Sequence, residues 1–190
     1  MVILVVIGIV PSFIVKNVVV NSYETRAVSI REVNLKNQCD ILGNQLMKEN
    51  YLREPDSDVI NGELSMLSAI YNGRILIINK DAKIIKDTYD IDVGKYALSE
   101  EVIQCFEGKS TANYDDKNAY IEMTSPITKM DSNTIEGVML VSISTSEIED
   151  SIDMLENRGN LLLSIICILV LVFGYLLAGV LVKPFSRVTK

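Results

Sequence analysis

Residues 73–88 read GRILIINKDAKIIKDT, and the fold turns on them. Two short runs rich in β-branched residues, 74–79 and 83–88, flank the turn-forming stretch NKDA at 79–82. That pattern predicts a β-hairpin. Downstream, LSEEVIQCFEG (98–108) reads as a helix: Ser99 as N-cap, acids in the first turn, Gly108 as its end. STANY (110–114), the turn DDKN and AYIEMTSPIT (119–128) predict a second hairpin, and TIEGVMLVSIS (134–144) a fifth strand, apolar enough to be central. Upstream, ELSMLSAIYNG (63–73) reads as a short helix closed by Asn72-Gly73. Before it, Val28, Leu35, Cys39, Leu42 and Leu46 make a helical stripe that ends near Asn50, because REPDSD (53–58) is turn-like. Ser144 and Glu147 are spaced as a capping box, and Ile148, Ile152 and Leu155 form a stripe behind it. The predicted class is α+β, a five-stranded antiparallel sheet with the long N-terminal helix on one face.

The two ends are different in kind. From Leu161 to Val182 there are 22 consecutive uncharged residues, enough to cross the roughly 30 Å hydrocarbon core of a bilayer as a helix. The opening run MVILVVIGIVPSFIVKNVVV is read as a second span, with Pro11 tolerated and Lys16 placed to snorkel. It lacks the basic start and small-residue cleavage site of a signal peptide. Between the ends, Asn21–Gly159 holds all 25 acidic residues and 14 of the 18 basic ones, a net charge of −11. Lys183, Arg187 and Lys190 follow the second run without an acid. The positive-inside rule makes that end cytoplasmic and the middle extracytoplasmic. The expected layout is residues 1–20 as span, 21–159 as outer domain, 160–182 as span, in a multi-pass cell-membrane protein. An acidic outer domain argues against nucleic acid as a partner and admits a cation.

Histidine is absent, so Ser-His-Asp and Cys-His catalysis are excluded, and no carboxylate pair suggests hydrolysis. Catalytic residues, cofactor and metal site are all expected to be none in this chain. Cys39, Cys105 and Cys167 make no zinc pattern; free buried thiols are preferred over a Cys39–Cys105 disulfide.

The fragments GRILIINKDAKIIKDT, AYIEMTSPIT and EGVMLVSIS, in this order, resemble the extracytoplasmic sensor region of bacterial sensor histidine kinases, of the PAS-like kind called Cache or PDC. KPFSRVT (183–189) resembles the start of a HAMP linker, with Pro184 as its proline. The resemblance implies a homodimeric sensor portion of a two-component histidine kinase, detecting an unknown extracellular small molecule, cation or protein. The kinase reaction would belong to a longer protein, since this chain has neither the phosphoacceptor histidine nor a phosphate loop. The same front end would also suit a chemotaxis receptor or a cyclic-dinucleotide enzyme, and an anchored protein-interaction module is a further alternative.

In dicarboxylate-sensing relatives the strand matching AYIEMTSPI carries an arginine four residues before the proline. Here that position is Glu122. Alternation puts Tyr120, Glu122 and Thr124 on one strand face and Ile121 and Met123 on the other. An acid repels a carboxylate ligand, so an amine, a cation or a neutral molecule is expected. Arg74, Lys86 and Tyr89 are the further candidates for this face. The plainer alternative is a solvated Glu122 paired with a Lys or Arg. Ser146, Ile152, Leu155 and Pro184 are expected to relay the signal along the last helix. Glu149, Asp153 and Glu156 share one face of that helix, where divalent cations could bridge to membrane lipid; a solvated face is the plainer reading.

Overall fold

A computed structural model describes residues 2–129 and 134–185, with the side chains of 2–8 and 177–185 left out of the description. The elements are α1 (Val2–Lys48), α2 (Asp58–Ile70), β1 (Gly73–Asn79), β2 (Ile84–Asp87), α3 (Glu100–Phe106), β3 (Ala112–Asp115), β4 (Tyr120–Thr128), β5 (Ile135–Ser144) and α4 (Ser146–Phe185). The chain divides into two units. One is made of the residues through Arg26 and those from Ile148 onward; the other is Ala27–Glu147.

Ala27–Glu147 has the expected α+β class. Its five strands form one antiparallel sheet in the order β2-β1-β5-β4-β3, with the apolar β5 at the centre. Period-2 alternation sorts the two faces. Ile75, Ile77, Ile121, Met123, Ile127, Met139, Val141 and Ile143 are almost wholly buried on one face. The helical stripe Leu35, Cys39, Leu42 and Leu46, joined by Ile60 and Leu64 of α2, is buried as well. Ser125, which shares that face, donates to Asp40 on α1 at 3.5 Å, which places α1 over it. The opposite face carries a smaller core, where Val102 and Cys105 of α3 pack with Leu76, Ile78, Ile84 and Val138.

Local signals explain the boundaries. α1 stops at a left-handed Asn50, φ 55°. α2 begins five residues earlier than its apolar pattern suggests, because Ser57 caps it by accepting from the Ile60 amide. Ser57 also donates to Glu49 at 2.6 Å, a contact that sequence spacing does not reveal. Ser99 sits at the N-cap of α3 without a side-chain cap bond; the acids Glu100 and Glu101 remain to favour that terminus. Gly108, φ +89°, lies just past its end as expected. Ser144 is still paired with Tyr120 in the sheet, so α4 starts at Ser146 instead, and the Ser146 amide donates to the Ser144 hydroxyl at 3.2 Å.

Gly73 is the tightest joint in the sheet. A Cβ there would stand 2.5 Å from the Ser142 carbonyl oxygen and 2.8 Å from Ile143 Cα, so β1 and β5 could not close. Gly73→Ala is expected to cost about 2–3 kcal/mol, the upper range for overpacking. A denaturant midpoint near that of wild type would refute this placement of the two strands.

In the other unit, α4 is the one helix among the described residues both long and apolar enough to cross a membrane: within Ser146–Leu176 an 18-residue window reaches a mean hydropathy of 2.4. Pro11 lies inside α1. Of the HAMP-like stretch 183–190, α4 takes in 183–185, Pro184 among them; residues 186–190 lie outside the described residues.

Candidate functional site

The sheet face opposite α1 is only partly covered by α3. At the uncovered end, strand register lines up four polar residues directly across four strands. Arg74 of β1 faces Ser142 of β5, Ser142 faces Glu122 of β4, and Glu122 faces Asn113 of β3. Tyr120 lies on the same face two residues along, opposite Asp115 and Ser144.

Within this row the charges are distributed unevenly. Arg74 turns its guanidinium toward β2. Its Nε donates to Asp87 Oδ1 at 3.0 Å, and one terminal nitrogen donates to Asp87 Oδ2 and to Asp92 Oδ2, each at 2.6 Å. Asp87 is fully buried and also accepts from the amides of Tyr89, Ile91 and Asp92, all at 2.9 Å. Burial pushes the Asp87 carboxyl up, but Arg74 and the three amides outweigh it and hold the group well below the usual carboxylate range. The hydrogen bond from Arg74 to Asp87, above all, raises the guanidinium in turn. Asp92 is likewise lowered, by Lys95 first and then Arg74.

Glu122 has no such neutraliser. Its carboxylate accepts from the Ser142 hydroxyl at 3.2 Å, and it makes no ion pair among the described residues. The partner is a hydroxyl, where a Lys or Arg had been the plainer expectation. Two strands of the sheet lie between Glu122 and the β2 edge toward which Arg74 is turned.

The six candidate residues therefore separate. Arg74, Tyr120, Glu122 and Thr124 share the face. Thr124 is buried, not open to a ligand: its hydroxyl meets the Thr111 hydroxyl at 2.9 Å and accepts from the Thr111 amide at 3.0 Å. Lys86 falls on the other face, because it pairs with Ile77 whereas Asp87 pairs with Leu76; it reaches Asp90 at 3.8 Å. Tyr89 follows β2 in an exposed loop. Ser142, Asn113 and Asp87 were not singled out from sequence. Extending the alternation argument from β4 to its neighbours would have found the first two.

Ser142 stands four residues before α4. The α4 entry is tied to its surroundings at several points: the Thr145 amide donates to the Ala119 carbonyl at 2.8 Å and the Ser144 amide to Asn72 at 3.3 Å. Arg31 of α1 lies over the Tyr71 ring at 4.8 Å and 3.6 Å from Glu147 in the first turn of α4. Of the relay candidates, Ser146 is exposed and Ile152 and Leu155 are half-buried. Cys39 and Cys105 are free buried thiols on opposite faces of the sheet; burial, with Asp40 adding to it, pushes Cys39 up to about 12. Among the described residues no group of three or more Cys, Asp or Glu is placed to hold a metal ion.

No protein-family model and no curated protein matches the chain. Among solved structures it is similar to the sensor domain of the V. cholerae histidine kinase DctB, at 14% identity and a TM-score of 0.46, covering 70% of this chain and 59% of that one. It is similar to the sensory domain of the Campylobacter jejuni chemoreceptor Tlp3 (CcmL), at 13% identity and a TM-score of 0.47, covering 69% and 60%. The ligand-binding domain of Tlp3 in complex with 4-methylisoleucine matches at 14% identity and a TM-score of 0.48, covering 74% and 61%. The chain thus corresponds to less than two thirds of each of those chains. Identity at this level concerns fold and leaves the ligand of this chain to its own side chains.

Proposed function

We propose that Ala27–Glu147 is the extracytoplasmic input domain of a two-span, homodimeric membrane receptor, the sensor portion of a histidine kinase, and that it binds a small amine or cation at Glu122. The observation that carries this reading is the uncompensated carboxylate on an open sheet face. Glu122 is bonded to a hydroxyl, while the nearby guanidinium is committed to two aspartates. A di- or tricarboxylate would meet an acid and no available fork, whereas an ammonium group gains a charge-assisted hydrogen bond. Ser142, which holds Glu122, is on the strand that runs into α4, so a ligand that binds one arrangement of this row better than another would bias the helix that follows.

The test is a thermal-shift screen of the whole chain in detergent, against primary amines, amino acids and dicarboxylates. A true ligand at about a hundred times its Kd stabilises by about 2.7 kcal/mol. An amine is expected to raise the Tm and Glu122→Gln to remove that rise. A dicarboxylate that stabilises wild type and Glu122→Gln alike would sink the assignment.

A protein-interaction module is the second reading, and one loop favours it. Tyr89, Ile91, Val93, Tyr96 and Leu98 are each half exposed or more. The loop is nonetheless pinned to the Asp87 carboxylate and, through Gly94, Lys95 and Ala97, to the segment 82–84. A rigid display of apolar side chains suits a protein partner. Under this reading Ile91→Asp abolishes the response and leaves every small-molecule thermal shift unchanged.

A further inference from the structure

The segments of α1 and α4 that belong to the same unit enclose a trough of about 460 Å³, within the range of ligand sites. Its walls are apolar: Val15 on α1 and Leu162, Leu163 and Ile166 on α4 among them. Two cations also line it, Lys16 and Arg158, and no acid does. Lys16 is half-buried, and its ammonium donates to the neutral Asn160 Oδ1 at 2.7 Å. Neither Lys16 nor Arg158 makes an ion pair among the described residues. The helices approach closely here. A Cβ added to Gly159 would stand 3.0 Å from Lys16 Cγ, so the lysine stem lies across the glycine with its charge held at the level of Asn160.

That level is chemically special. The uncharged run of α4 begins at Leu161, one residue beyond Asn160. With α4 across a bilayer, Lys16 and Arg158 stand where hydrocarbon gives way to headgroups, and the wall from Leu162 to Ile166 lies in the acyl region. At that depth the Lys16 ammonium has a neutral amide for its partner, and an anion that brings its own apolar tail offers it a counter-ion. Cations placed at the headgroup level attract anionic lipid headgroups electrostatically.

We infer that this trough is a binding site for one anionic phospholipid, its phosphate on Lys16 and Arg158 and one acyl chain along Val15, Leu162, Leu163 and Ile166. The inference rests on α4 crossing the membrane. Resistance of the chain to alkaline extraction from membranes checks that separately, so failure of the spanning reading and failure of the lipid site give different results.

The experiment is native mass spectrometry of the whole chain in a neutral detergent, titrated with phosphatidylglycerol or with phosphatidylcholine of the same acyl chains. Phosphatidylglycerol is expected to bind more tightly. The double variant Lys16→Gln, Arg158→Gln is expected to lose about thirtyfold of that affinity, the effect of removing two cations near an anionic headgroup. Val15→Trp keeps both cations and fills the trough, and is expected to weaken both lipids. Lys16→Arg is expected to retain selectivity, which separates loss of charge from loss of fold. Equal binding of the two lipids, or an unchanged affinity in the double variant, overturns the inference. So does binding of glycerol phosphate as tight as that of the lipid, which would make this a bare anion site. Displacement of lipid by a second copy of the chain would assign the trough to a helix of the partner and overturn it equally.

Discussion

Asp87→Ala is expected to destabilise the sheet domain by about 3 kcal/mol, lowering its melting temperature by of order 10 °C. The substitution removes a fully buried carboxylate that accepts from Arg74 and from three backbone amides, and leaves those donors behind. Breaking a buried ion pair from one side costs about 3–5 kcal/mol, because the remaining charge is stranded. The lower end applies here, since the Arg74 side chain is 26% exposed and keeps Asp92. The same network sets the acid limb of stability. The Asp87 carboxyl is held below its unfolded value, so its contribution is fully present above the ordinary carboxylate range, near pH 4. It is lost as pH falls from there through the depressed folded value. Wild type should therefore lose more stability between pH 7 and pH 3 than Asp87→Asn does, and Asp92 should supply the limb that remains in the variant. Equal acid sensitivity of the two chains in chemical denaturation would show that Asp87 is not the titrating group.

Inserting Gly-Gly-Pro after Arg158, in a receptor that carries this chain ahead of its output domain, is expected to abolish the response to ligand while leaving the melting temperature of the sheet domain within a degree or two. α4 is one helix from Ser146 to Phe185, and the insertion falls well beyond Glu147, where the sheet domain ends. A proline inside a helix costs about 3 kcal/mol or more and removes a backbone hydrogen bond, so the two halves cease to move as one. Ligand binding at Glu122 should survive, because none of its row lies beyond Ser142. A response that persists would mean the signal does not travel along α4.

The sheet was legible because its strands obey a single rule. The runs 74–79, 119–128 and 134–144 alternate or stay apolar, and turn residues bound them. They appear as β1, β4 and β5 within a residue or two. The early part of α2 was missed because REPDSD reads as a turn, although its cap is local, Ser57 accepting from the Ile60 amide; only the further bond from Ser57 to Glu49, just past α1, is a tertiary contact. Lys86 was assigned to the wrong face because a register shift between Ile77 and Ile78 changes how β2 lies on β1, and no residue pattern announces it. Arg74 lies in the row with Ser142 and Glu122, and its commitment to Asp87 and Asp92 depends on the turn that follows β2. Glu122 was legible as a departure from the arginine that the resemblance implies. Its hydroxyl partner Ser142 was not, since cross-strand register is a property of the folded sheet.

The most direct measurement is hydrogen exchange of the whole chain with and without the amine that the screen selects. The account predicts slowed exchange at the amides of β4 and β5 around Glu122 and Ser142, continuing into the first turn of α4. Protection confined to the loop 89–98, or absent from both strands, would contradict a ligand site on the open face of the sheet.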